Sequence, residues 1–467
     1  GLEAVPHLKR LQLNGLKSSP DWAPLQHLVQ LRELALSGEK LAYPGPLVFR
    51  RLTKLKELSI TCNEAVEMQG LSACNQLNSL TLNEAKSLRS LSFLESLHSL
   101  RCLRIDGYGG DSLEGISKCQ KITEFSISDA GELEDISELR SLSRLRELTL
   151  SGKFQDLGPL KPLASLQVLY INDAKELRDV SGLSGCLCLE RINLNGISSL
   201  GSLWGIGQLK SLQELHIYSW ESKSGYMDMH EVRELCNLRD LAISCSGRVL
   251  RGFRAVRHLK KLRSLDLSEC NCLEVMDLSP LRGLSALSQL QMGNCQSIIN
   301  LDSLSHLHQL ETLELINCPR LASLAELRDI DHLQQLTITN NWKINDLDDL
   351  AILNGLTHLS LRYFGKLHDA SGIGCLAQLE ALDLEGAGRL SDISFLDDLE
   401  SLDTLDFSYC HRIHPDDFAH LYENDFETLN LPDADEYEEE YEEDEEAENP
   451  WGERNLDDIP DDEWLRL

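Results

Sequence analysis

The chain has 467 residues, 42% hydrophobic and 26% charged, enough apolar content to bury a core over most of its length. Its 76 acidic residues outnumber 44 basic ones, for a formal net charge of −32, which argues against a general DNA, RNA or anionic-membrane binder. No run of 18 apolar residues marks a transmembrane helix, and the opening GLEAVPHL carries no basic-plus-apolar secretory leader.

In chain order, the first feature is a pattern, L-x-x-L-x-L, that keeps returning. It begins with Leu8, Leu11 and Leu13, then Leu31, Leu34 and Leu36, then Leu55, Leu58 and Ile60. Eighteen copies span the 394 residues from Leu8 to Leu402, a mean period of 23.2, and a degenerate nineteenth falls at Phe426, Leu429 and Leu431. The L-x-L alternation predicts a short strand with its leucines on one face. One such strand cannot bury that face alone, so the copies must stack into a parallel sheet. Between strands a second apolar series runs at a spacing of three, as in Leu321, Leu324, Leu327, Ile330 and Leu333. That spacing suits short helical or 3-10 turns on a convex side. With strands roughly 4.8 Å apart, the array is expected to curve into a horseshoe on the order of 90 Å along its sheet.

Period and pattern together resemble leucine-rich repeats, over about residues 2 to 431. The resemblance implies an α/β repeat solenoid with a parallel sheet on the concave face and short helical or 3-10 turns on the convex face. Segments such as LSDISFLDDLESLDTLDF (390–407) and LASLAELRDIDHLQQLTI (321–338) resemble the cytosolic bacterial and SDS22-like class. The cysteine endings at Cys270, Cys295, Cys318 and Cys410 resemble repeats of plant intracellular immune receptors. The Gly-x-Ile-Pro element of the extracellular plant class is missing. The domain reading is a solenoid over 1–431, an acidic disordered linker over 432–448 and an acidic-hydrophobic segment over 449–467.

Leu2, Val5 and Leu8 already follow the convex-side spacing, so the chain opens in mid-repeat with no capping helix. Two readings fit: the C-terminal part of a larger protein whose upstream residues complete the core, or a first repeat that is frayed or capped by a partner.

Fourteen cysteines raise disulfides and zinc as options. Cys270, Cys295, Cys318 and Cys410 fall three residues after a strand's last core residue, a slot that lies inside the turn. Cys74, Cys119 and Cys186 take a place that most repeats give to leucine. These seven therefore read as small core residues, and reduced thiols in a core point to the cytoplasm, with the nucleus as an option. No metal and no cofactor is expected, because the C-x-C pairs have no histidine at ligand distance.

The third, fifth and seventh positions of L-x-x-L-x-L-x line the concave face, where solenoids usually bind. Many are acidic, including Glu33, Glu57, Asp240, Asp266, Asp383 and Asp406, and such a face prefers a basic partner. One cluster differs in chemistry. Tyr170, Arg191, Asn193, Asn195, His216 and Tyr218 fall on three consecutive repeats, with Trp204 on the loop between and Trp220 just beyond the third strand. Aromatic and arginine side chains are enriched at interface hot spots, which makes this group the expected anchor for a protein partner. The next interval is the longest, and its segment SWESKSGYMDMHEV (219–232) is expected to bulge from the turn. A second group comprises Asn340, Trp342, His358, Arg362, Tyr363 and Phe364. For both groups the bland alternative is an ordinary surface or partly buried aromatics.

Residues 433 to 467 hold 18 acidic residues against Arg454 and Arg466. Self-repulsion in DADEYEEEYEEDEEAE (433–448) predicts disorder. This run is a solubilising tail, a contact for a basic protein, or an autoinhibitory segment that folds back on a basic patch. An array followed by an acidic tail is also similar to the acidic leucine-rich nuclear phosphoproteins, a resemblance that implies histone or phosphatase partners. That family has fewer repeats and a longer tail. Trp451, Leu456, Ile459, Trp464 and Leu465 sit among carboxylates, an alternation that marks either a segment folding on a partner or a cap on the last repeat.

Catalytic motifs are absent: there is no G-x-x-x-x-G-K-[ST], H-E-x-x-H or G-x-S-x-G. The chain reads as a non-enzymatic module that binds a protein on its concave face, without direct DNA, RNA or membrane contact. It would then be the ligand-sensing or autoinhibitory region of an intracellular immune-type receptor. Its rivals are an acidic-tail chaperone for basic proteins such as histones and an SDS22-like phosphatase regulator.

Overall fold

The structure, a computed structural model, describes residues 4–39, 41–61, 68–218, 226–245, 249–272, 275, 277–414, 416–418 and 426–432. Its main element is a 19-stranded sheet in which each strand pairs in parallel with that of the next repeat. The sheet runs from Arg10–Leu16 to Thr428–Asn430, so the degenerate nineteenth copy also forms a strand. Apart from a shift between Leu13 and Leu16 in the first strand pair, register is in step: Leu34 lies beside Leu58, Leu58 beside Leu80, and Leu80 beside Leu103. A slip by one residue would turn every leucine outward, so the apolar pattern itself holds the register.

The leucines stack into one continuous core. From the second repeat onward nearly all are at most 2% exposed, whereas Leu8, Leu11 and Leu13 of the first repeat are only half-buried. The convex side is built almost wholly of 3-10 turns, with a single α-helical turn at Pro46–Phe49 among the described residues. A repeated D-x-S element launches many of them. The Ser137 amide donates to Asp135 Oδ1 at 2.8 Å, and Ser181, Ser279, Ser371 and Ser394 repeat the contact with Asp179, Asp277, Asp369 and Asp392. Hydroxyl and amide bonds from the same serines to the ionised form hold the Asp277, Asp369 and Asp392 carboxyls below their ordinary value.

The thirteen described cysteines are free thiols. All seven assigned to the core are buried, as are Cys245 and Cys272. Desolvation pushes Cys74, Cys186 and Cys410 up to about 12 and Cys119 to about 11, so none is a thiolate near neutrality. The Cys295 thiol lies against those of Cys272 and Cys318, and this contact together with burial raises it well above its ordinary value. Among the described residues, no cluster of three His, Cys, Asp or Glu is placed to hold a metal ion, and no helix is long and apolar enough to cross a membrane.

The long interval departs from the expected bulge in its second half. Tyr226–Asp228 forms a short strand that pairs with Val249–Arg251, and Met229 and Val232 are fully buried. Two apolar side chains at the convex spacing of three draw this half of the segment into the core.

Candidate functional site

Strand pairing places the first cluster on a regular grid. Tyr170, Asn193 and His216 stand side by side in the central row of the concave face. Arg191 and Glu214 occupy the row toward the strand starts, and Asn195 and Tyr218 the row toward the strand ends. Neighbouring strands lie about 4.8 Å apart, so these side chains form one contiguous surface. Tyr170 is 39% exposed, Arg191 and Asn195 are exposed, and Asn193, His216 and Tyr218 are half-buried. The His216 and Tyr218 rings sit 5.9 Å apart, inclined at 57°. His216 Nε2 lies 3.3 Å from Asp240 Oδ1, and this adjacent carboxylate raises the imidazole pKa against the opposing effect of burial. Burial, then the nearby Asp266 and Asp240, raise Tyr218. Trp220 lies outside the described residues, as do Trp451, Leu456, Ile459, Trp464 and Leu465. Trp204 is 64% exposed but precedes the 3-10 turn Ile206–Gln208, away from the strand grid.

Past this cluster the central row turns acidic, with Asp266, Glu314, Asp383 and Asp406. Glu314 is half-buried, and desolvation with the nearby Asp266 charge raises its pKa. Asp266 and Glu314 stand two strands apart in this row, with Gln291 between them.

The second group has another character. Phe364 is fully buried, which removes it from any binding surface. It occupies the turn slot three residues after the last core residue of its strand, the same slot that holds Cys318 and Cys410. Applying the cysteine rule to every repeat would have found it. Tyr363 just before it has φ of +58°, which turns the chain so that Phe364 points inward. Trp342 is half-buried against the turn of the next repeat. A Cβ added at Gly365 would come within 2.0 Å of its ring. Arg362 Nε is 2.5 Å from Asp383 Oδ2 and 3.5 Å from Glu385 Oε2, and the Tyr363 hydroxyl donates to Glu385 Oε1 at 2.5 Å. His358 is exposed at the strand start. This group is held by its own neighbours, whereas Tyr170, Arg191 and Asn195 stand free toward solvent.

Asn341 is a feature that sequence reasoning passed over. It is fully buried, its Nδ2 donates to Cys318 O and Leu321 O, and its Oδ1 accepts from the amides of Lys343 and Ile344. It fills the same slot as the cysteines, and its sequence signal was that spacing.

The fold now stands beside known structures. A leucine-rich-repeat protein from Leptospira interrogans aligns with TM-score 0.64 and 19% identity, over 91% of this chain and 97% of its own. The TLR13–ssRNA13 complex aligns with TM-score 0.67 and 21% identity, over 92% of this chain and 66% of that one. The plant peptide hormone receptor RGFR1, in complex with RGF2, gives 0.58 and 18%, over 91% and 80%. The fold is a leucine-rich-repeat solenoid. No family model and no curated protein matches the sequence.

Proposed function

We propose that this solenoid is a non-enzymatic recognition module that binds a protein partner on its concave face. The grid of Tyr170, Arg191, Asn193, Asn195, His216 and Tyr218 would be the anchor. The observation that supports the reading is a contrast in partners on one face: among the described residues, Tyr170, Arg191 and Asn195 are exposed without an ion pair or side-chain hydrogen bond, while Arg362 and Tyr363, equally exposed, are tied to Asp383 and Glu385. Aromatic and arginine anchors beside an acidic row suit a partner with an apolar patch edged by basic residues. The solved receptor in complex with RGF2 makes a polypeptide ligand a reasonable class. Reduced core thiols fit a cytoplasmic setting, and a sensing role within a larger receptor is compatible with this surface.

A second reading places function on the acidic segment 433–467, whose 18 acids against two arginines would attract basic proteins such as histones. Affinity capture from the native host separates the two. The chain and a version lacking 433–467 are run at low and high salt. A partner that survives both changes supports the concave face. Partners that are basic proteins, lost with either change, place function on the tail.

A further inference from the structure

The residue that directly precedes each strand forms a row of its own. The Arg32 amide donates to Lys9 O, the Lys56 amide to Arg32 O, and the same bond recurs at 2.7–2.8 Å through every repeat to Glu427. These nineteen residues therefore run in one line along the rim where the strands start. In the first seven repeats the row holds Lys9, Arg32, Lys56, Arg101 and Arg146, and near its middle Arg239 and Arg263. From Glu311 onward its only charged members are acids, with Glu380, Asp403 and Glu427. All of these side chains are exposed, and among the described residues none makes an ion pair within the chain. The sign change follows the whole molecule. Residues 1–300 hold 35 basic and 34 acidic residues, whereas 301–432 hold 7 and 24.

The row is complementary to its own reversal. When it is turned end to end about Gln213, the tenth of its nineteen members, Lys9 meets Glu427, Arg32 meets Asp403, Lys56 meets Glu380, and Arg239 meets Glu190. Asn78 faces Thr357, and the remaining charges face neutral side chains. No like charges meet, and the four opposite pairs occur twice in a two-fold arrangement. A two-fold axis through the middle of an arc maps the arc onto itself reversed and brings the same rim of two copies together, the isologous geometry of most homodimers. A shallow groove of about 330 Å³ lies at that midpoint, lined by Glu190, Gln213, Arg239, Ser211, Asn237 and Lys261.

We infer that this rim binds a second copy of the chain, antiparallel, with the basic N-terminal rim of each copy on the acidic C-terminal rim of the other. Exposed ion pairs are individually weak and screened by salt, so the dimer is weak and favoured at low ionic strength. This association is separate from the concave-face reading and stands or falls without it.

The test is sedimentation velocity on the full chain. A dimer at about 20 mM salt that becomes monomeric near 0.5 M is expected, and a monomer at low salt overturns the inference. The triple variant Lys9→Glu, Arg32→Glu, Lys56→Glu and the triple variant Glu380→Lys, Asp403→Lys, Glu427→Lys each weaken self-association at least about tenfold. An equimolar mixture of the two restores a dimer, because each then offers what the other lacks. Circular dichroism checks that both variants keep the fold. If either triple leaves the dimer intact, or the mixture stays monomeric, the inference fails. Loss of the dimer on deleting 433–467 or on nuclease treatment also overturns it, because the occupant is then the acidic segment or a nucleic acid.

Discussion

The two aromatic groups on the strand side look alike in sequence and differ in structure. Tyr170 to Tyr218 spread over three strands as a solvent-facing grid, while Trp342 to Phe364 lock one repeat onto the next. The difference comes from where each aromatic falls in the repeat. A fifth or seventh position points an aromatic out of the sheet, but the third position after the last core residue turns it inward, as at Phe364. An aromatic residue is therefore a candidate anchor only after its place in the repeat is known.

Substitutions can break or sharpen this contrast, and the largest effect belongs to the locked group. Phe364→Ala removes a fully buried ring and is expected to cost about 3–5 kcal/mol in chemical denaturation. Asn341→Ala takes the side-chain partner from the buried Ile344 amide, the Lys343 amide and the Cys318 and Leu321 carbonyls, and about 2–4 kcal/mol is expected. Gly365→Ala forces Trp342 from its seat and costs about 1–3 kcal/mol, visible as a shift of tryptophan fluorescence. In the open group, Tyr170→Ala leaves stability within about 0.5 kcal/mol, because its ring reaches solvent. A Tyr170→Ala cost comparable to that of Phe364→Ala would erase the distinction.

The smallest effect is a pH dependence at His216. Its folded pKa is raised by Asp240, so its stabilising contribution is complete below the ordinary value near 6.5 and is lost as pH rises through the folded value. His216→Gln should flatten that part of the stability profile above about pH 6.5, and an unchanged slope would assign it to another group. The convex aspartates act with the opposite sign. Asp277, Asp369 and Asp392 are held low, so their contribution is present above their ordinary value near 3.8 and disappears in stronger acid.

Much of the fold was legible in the spacing of the leucines. Leu8 to Leu402 marked the strands, and the degenerate Phe426, Leu429 and Leu431 copy also pairs. Cysteine placement was legible because the turn slot recurs at a fixed offset from a strand that the leucines define. The same offset announced Phe364 and Asn341, but an aromatic draws attention as a contact and an asparagine as surface. The pairing of Arg362 with Asp383 and Glu385 depended on side-chain conformers that no spacing specifies. The rim charges were visible as letters, yet their alignment emerged only from the backbone bonds that join successive repeats. The second half of the 219–232 segment escaped because two apolar residues, Met229 and Val232, outweighed the polar stretch before them.

Whether the partner rests on the concave grid is tested most directly by site-specific photocrosslinking. A photoreactive residue replaces Asn193 in one version of the full chain and the exposed convex Lys118 in another, and both are irradiated in native lysate. A discrete crosslinked protein from position 193 alone, lost with Arg191→Ala plus Tyr218→Ala, is the expected result. Equal crosslinking from both positions, or none from position 193 while a partner still co-purifies, would place recognition elsewhere on the molecule.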